Sequence, residues 1–151
     1  MKITQEKEDS IIQIITRIKN ALQKEMQKIF LQYKLTFPQI MIIHYISNKA
    51  DITLTKVAKK INLSNSTTSD IVDRLVKKKI INKDQSLKDK RVFFLALTPE
   101  WEKIRKKIMH DKKLFWQNLF AKTDAKTKAE IMNGLEKLEY LLQSTDDNLK
   151  N

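Results

Sequence analysis

The sequence has 151 residues, room for one domain with a real core and little more. With 41% hydrophobic and 32% charged residues it is globular, and the absence of cysteine excludes disulfides, thiolate metal sites and thiol-based redox sensing. Thirty Lys and Arg against eighteen Asp and Glu leave a net charge of +12, which favours polyanions such as nucleic acid as partners. A Lys-rich surface that merely follows genomic base composition would spread that charge evenly. Instead, residues 56–91 hold eleven basic side chains and four acidic ones, so more than half of the excess sits in one segment. The stretch Met1 to Asp9 is too charged for a signal peptide. No window approaches the ~20 apolar residues of a membrane span, so the expected home is the cytoplasm, with no membrane partner.

In chain order, Ile11, Ile15, Ile18, Leu22, Met26, Ile29 and Tyr33 recur at spacings of three and four, the stripe of one long helix. Phe37-Pro38 opens a second, very apolar helix to about Ser47, with Pro38 in the first turn where its missing N–H costs nothing. Asn48 to Asp51 reads as a turn, and Thr53 as the cap of a short helix ending near Ile61, with Val57, Ala58 and Ile61 inward. Asn62 suits the left-handed backbone of a tight turn between helices. Ser64 caps a further helix with Thr68, Ile71, Val72, Leu75 and Val76 inside. Ile80-Ile81 and Val92 to Leu97 are β-prone runs around the polar segment Asp84 to Arg91, the pattern of a hairpin. Thr98-Pro99-Glu100 opens a helix with Trp101, Ile104, Ile108, Phe115, Leu119 and Phe120 inward. After a break at Ala121 to Thr123, the last helix aligns Ile131, Leu135, Leu138 and Leu142.

Two helices joined by a short turn and followed by a hairpin describe a winged helix-turn-helix, mainly α with a small β-hairpin wing. The second helix of such a pair fits the major groove, and its early exposed residues reach base edges. Here those are Ser64, Asn65, Ser66, Thr67, Ser69, Asp70, Asp73 and Arg74. Polar residues at a helix start commonly serve only as caps, but a basic loop follows these. Its tip, Ser86 to Arg91, carries Lys88, Asp89, Lys90 and Arg91. Arg91 has the length and charge for the narrow minor groove, and Asp89 is placed to orient its guanidinium. Thr53, Lys56, Lys59, Lys60, Lys77 and Lys83 are the candidate phosphate contacts.

From Leu35 to Thr98 the chain resembles the MarR family of regulators (multiple antibiotic resistance regulators). The matching stretches are Leu35 to Gln39, Leu54 to Ala58, Leu63 to Thr67, Asp73-Arg74-Leu75, Asp89-Lys90-Arg91 and Leu97-Thr98. The resemblance implies a single domain over 1–151, with a DNA-binding lobe at about 36–98 and dimerisation helices at about 4–34 and 99–144. It implies a homodimer, with Arg91 as the minor-groove contact and Asp89 as its support. The expected function is sequence-specific binding of double-stranded DNA, as a ligand-responsive repressor on a pseudo-palindromic operator. Asn62 and Lys79 stand where the family usually has Gly, and Asp70 where many relatives are not acidic, which bears on operator preference.

Family ligands lodge between the dimerisation helices and the lobe, so Phe30, Tyr33, Phe37, His44, Tyr45, Phe115 and Trp116 are the candidate effector cleft. Aromatic residues at helical spacing more often form core. Neither His44 nor His110 has a carboxylate or histidine partner at helical spacing, so no metal or other cofactor is expected. No Gly-rich phosphate loop or nucleophile elbow is present, so no enzymatic activity is expected. Two other uses of the same pattern stay open: a winged-helix module for protein or RNA contacts, and a scaffold built on the long helices.

Overall fold

A computed structural model describes residues 2–47, 49 and 51–148, with side chains described for 9–47, 49 and 51–144. The chain runs α1 (Lys2–Gln32), α2 (Phe37–Ser47), β1 (Ile52–Thr53), α3 (Leu54–Ile61), α4 (Asn65–Lys77), β2 (Ile81–Gln85), β3 (Phe93–Leu97), α5 (Pro99–Phe120) and α6 (Ala125–Asn148). It divides into two compact units, residues 1–111 and 112–151. A mainly helical chain with a small antiparallel sheet is what the hydrophobic periods lead one to expect.

The core of the first unit lies where α2, α3, α4 and the sheet meet. Ile42, Ile43, Ile46, Val57, Ala58, Val72, Leu75, Ile80, Ile81 and Leu95 are all buried there. Burying such side chains stabilises the fold by roughly 1.5–3 kcal/mol each. Leu35 between α1 and α2, and Trp101 and Ile108 of α5, are buried as well.

The sheet has three strands in the order β1-β3-β2, one more than the hairpin expected. β1 pairs Ile52 with Leu95 and Thr53 with Phe94. A strand of two residues has no period to read, and only pairing with β3 creates it. β2 also runs further into the polar segment than its apolar start suggests, because Asn82 to Gln85 pair with Phe93 to Ala96. Thr53 serves twice, ending β1 and accepting from the Lys56 N–H at 3.3 Å as the cap of α3.

Helix ends carry most of the local logic. Gln39 Oε1 accepts from the Thr36 N–H at 3.1 Å, the return half of a capping box at the start of α2. Thr98 Oγ1 accepts from Trp101 N at 3.2 Å and Asp124 Oδ1 from Thr127 N at 2.7 Å, opening α5 and α6. Three helices finish on a left-handed residue that is not Gly: Lys34 (φ 56°), Asn62 (φ 57°) and Lys79 (φ 57°). At each end the same two bonds close the helix, Leu35 N to Phe30 O and Lys34 N to Leu31 O in the first case. Leu63 N to Ala58 O with Asn62 N to Lys59 O, and Ile80 N to Leu75 O with Lys79 N to Val76 O, complete the set.

One expectation about an inward face changes. Leu119 is 51% exposed, and α6 leaves Ile131, Leu135 and Leu142 exposed as well. In α1, Ile11, Ile12, Ile14, Ile15 and Ile18 are all open to solvent. These stripes are apolar as read, but a single chain does not cover them.

Candidate nucleic-acid interface

The start of α4 is built by its cap. Ser64 holds an extended backbone (φ −65°, ψ 155°), and its Oγ accepts from the Thr67 N–H at 3.1 Å. The same hydroxyl lies 3.0 Å from Ser66 Oγ and 2.8 Å from Thr67 Oγ1. Asn65, Ser66, Thr67, Asp70, Asp73 and Arg74 are exposed, whereas Thr68, Val72 and Leu75 face the core. The helix therefore presents a polar edge of small donors and acceptors, rigidly backed by packing. Ser69 is only half-exposed, because it accepts from Lys83 Nζ at 3.0 Å.

The wing is a seven-residue loop, 86–92, closed by Ser86 N to Val92 O and Val92 N to Asp89 O, both 2.9 Å. Ser86 Oγ accepts from the Lys88 and Asp89 N–H groups, and Gln85 Nε2 donates to Lys90 O at 2.6 Å. Asp89 takes three bonds from Arg91: backbone N to Oδ1 at 2.9 Å, Nε to Oδ1 at 3.2 Å and Nη2 to Oδ2 at 3.3 Å. These bonds hold the Asp89 carboxyl below its ordinary pKa, the guanidinium contributing most. The Arg91 side chain is 92% exposed, so a fixed cation stands out from the loop in an orientation set by its neighbour. Such a fork suits phosphate or a narrow groove.

Lys59, Lys60 and Lys77 are exposed on the same unit. Lys56 is also exposed, and its ammonium donates to Asp51 O at 3.3 Å. Lys83 is different, being turned inward to Ser69 and Asp73 with 16% of its side chain exposed. Lys34, Arg74, Lys77 and Lys78, with Thr36 and Gln39, line a cavity of about 400 Å3 at the end of α4. Lys78 Nζ donates to Lys34 O and, at 3.4 Å, to Gln39 Oε1. Burial, then the charge of Lys34, lowers the Lys78 pKa. Lys34 and Lys78 stand 44 positions apart, so nothing local joins them, but Thr36 and Gln39 at capping-box spacing are legible in the sequence.

Of the candidate effector residues, Phe30, Tyr33, Phe37, His44 and Tyr45 belong to the first unit and Phe115 and Trp116 to the second. Phe30 and Phe37 line a cavity of about 230 Å3 with Met26, Leu31 and Leu35. Tyr33 Oη donates to Asp111 Oδ2 at 2.5 Å, which, with burial and the carboxylate charge, pushes its pKa up to about 12. Lys49 Nζ sits 4.3 Å from the centroid of the Tyr45 ring, and His44 is exposed. Phe115 and Trp116 belong to the second unit, where the rings meet edge to face at 5.2 Å and Trp116 stacks on Phe120. Among the described residues, no group of three or more His, Cys, Asp or Glu could hold a metal. Among those residues, no helix is long and apolar enough to cross a membrane.

Residues 35–93 match the MarR family. The chain is 25% identical over 119 residues to the uncharacterized HTH-type transcriptional regulator YsmB of Bacillus subtilis, covering 79% of this chain and 82% of that protein. It is 30% identical over 78 residues to the HTH-type transcriptional regulator MgrA of Staphylococcus aureus, which covers 52% of this chain and about half, 53%, of MgrA. A mutant of MepR from S. aureus, solved bound to an oligodeoxyribonucleotide, superposes with a TM-score of 0.72 at 18% identity, over 87% of this chain and 97% of that one. That likeness shows the winged-helix fold.

Proposed function

We propose, from the match of residues 35–93 to the MarR family, that this chain is a sequence-specific regulator of transcription that binds double-stranded DNA as a homodimer. The observation that carries this reading is the pairing on one unit of two features. One is the polar, exposed edge of α4, and the other is the Asp89-oriented Arg91 of the wing. The edge of α4, from Ser64 through Asp70 to Arg74, enters the major groove. Arg91, with Lys88 and Lys90 beside it, takes the minor groove, while Thr53, Lys56, Lys59, Lys60 and Lys77 meet phosphates. The exposed apolar faces of α1 and α6 are covered by the same helices of a second copy, making the whole chain one MarR-like domain. Soluble monomers rarely leave such contiguous apolar surface open. Two copies present two reading helices to a pseudo-palindromic operator, and repression follows by occupancy. A small apolar effector at the Phe30–Phe37 cavity acts by changing the separation of the two reading helices.

The test is an anisotropy titration of duplex from upstream of the protein's own gene against a scrambled duplex of equal composition, at two salt concentrations. Specific recognition is expected to give a preference of at least ~10³ at the higher salt. Equal binding to both, fading with salt, would reduce the protein to a nonspecific cation. No binding to either would leave a protein-interaction module.

A further inference from the structure

Lys83 lies at the middle of β2, paired with Leu95 across the ladder. Strand alternation places it on the face of Ile81, which is buried in the core. Its ammonium donates to Ser69 Oγ at 3.0 Å and Asp73 Oδ1 at 2.8 Å. Ser69 and Asp73 are four residues apart, so both acceptors sit on one face of α4. The ammonium also lies 5.0 Å from the centroid of Phe93, a residue of β3 on the other side of the hairpin. With 16% of its side chain exposed, Lys83 is committed to three groups from two elements.

β2 is an edge strand, and its last ladder pair is Gln85 with Phe93. Beyond that pair the wing is ordered by the bonds within the loop and by Gln85 Nε2 donating to Lys90 O. The angle between wing and α4 therefore depends on what ties β2 to the helix, and the Lys83 ion pair is the polar tie across that junction. From this geometry we propose that Lys83 is a positioning residue that braces the wing against the reading helix, and that it does not contact phosphate. The proposal rests on the DNA-binding reading for its consequence, because a brace matters when two elements must enter two grooves together. Asp73 gains as well, since pairing masks a carboxylate that would otherwise face the phosphates.

A brace and a phosphate contact differ in what they do to specificity. Lys83→Met keeps an unbranched stem and removes the ammonium, with its two hydrogen bonds and its contact with Phe93. As a brace, it is expected to lower operator affinity roughly tenfold while binding to scrambled duplex changes little, so the specificity ratio falls. Removing a phosphate contact would instead weaken both duplexes alike and reduce the salt slope by about 0.9. Asp73→Asn sharpens the contrast. It adds net positive charge, so a freed phosphate contact would tighten both duplexes with the ratio unchanged, whereas loss of the brace lowers the ratio and, unlike loss of a base contact by Asp73, also loosens the wing in the DNA-free protein.

Hydrogen exchange on the DNA-free protein reads the brace independently. Amides of residues 86–92 should exchange faster in both variants, with those of α2 and α3 unchanged. Unaltered wing exchange, or an unchanged ratio in both variants, overturns the proposal. Should the wild-type protein prefer neither duplex, the DNA reading falls, and the exchange experiment still decides whether Lys83 braces the wing.

Discussion

Arg91 shows how one side chain depends on its neighbours. An exposed arginine samples many rotamers, and ordering it on binding costs on the order of 2 kcal/mol. The Nε and Nη2 bonds to Asp89 restrict that freedom beforehand. Being 92% exposed, the side chain contributes little to folding, so Arg91→Ala should leave the thermal unfolding curve unchanged. The same variant should weaken operator binding by about 1–3 kcal/mol, read by anisotropy titration. Operator affinity equal to wild type would remove the wing from the site. Both participants are visible in the sequence as Asp89-Lys90-Arg91, but their bonding is not, because it needs the turn made by Ser86 and Val92 to bring them together.

Helix termination is where this chain departs from the usual solution. Its only glycine, Gly134, lies inside α6, so the left-handed ends fall to Lys34, Asn62 and Lys79. Asn tolerates that backbone through its short polar side chain, while Lys carries the full Cβ penalty. Lys79→Gly should therefore raise stability by about 1 kcal/mol, a Tm increase of roughly 2–4 °C in a scanning experiment. No increase would mean that the lysine side chain offsets its own backbone strain. Just past the end of α1, Tyr33 is bonded to Asp111 of α5. The Tyr33 phenol has a folded-state pKa of about 12, above its ordinary value near 10. Its stabilising contribution is thus complete below pH about 10 and lost as pH rises through about 12. Phenolate absorbance should show a late step near pH 12 from Tyr33, and Asp111→Ala should bring that step down toward the ordinary phenol value.

The homodimer reading rests on the exposed apolar faces of α1 and α6. Five isoleucines within eight residues of α1, from 39% to 60% exposed, are more apolar surface than a soluble helix tolerates alone. Sedimentation should find a dimer at micromolar concentration, and Ile15→Glu should shift it to monomer. Circular dichroism should keep the helical signal of the first unit, whose core lies elsewhere. A wild-type monomer would end the homodimer reading and with it the two-site geometry on DNA. The stripes on α1 and α6 are legible in the sequence as faces that something must cover. Periodicity reports that a face must be covered, not by which molecule.

The sequence by itself determined the order of helices, the winged helix-turn-helix, the concentration of charge at residues 56–91 and the caps at Thr53, Ser64 and Thr98. These are local or periodic properties, set by spacing, hydrogen-bonding groups and backbone preference within a few residues. Tertiary structure alone decided the rest. It made β1 from two residues by laying them against Leu95 and Phe94, and gathered Lys34 and Lys78 around Gln39. It also turned Lys83, one of many exposed-looking lysines in the sequence, inward onto Ser69 and Asp73. Whether a long cation faces water or a partner depends on groups brought near by the fold, and no local pattern encodes that approach.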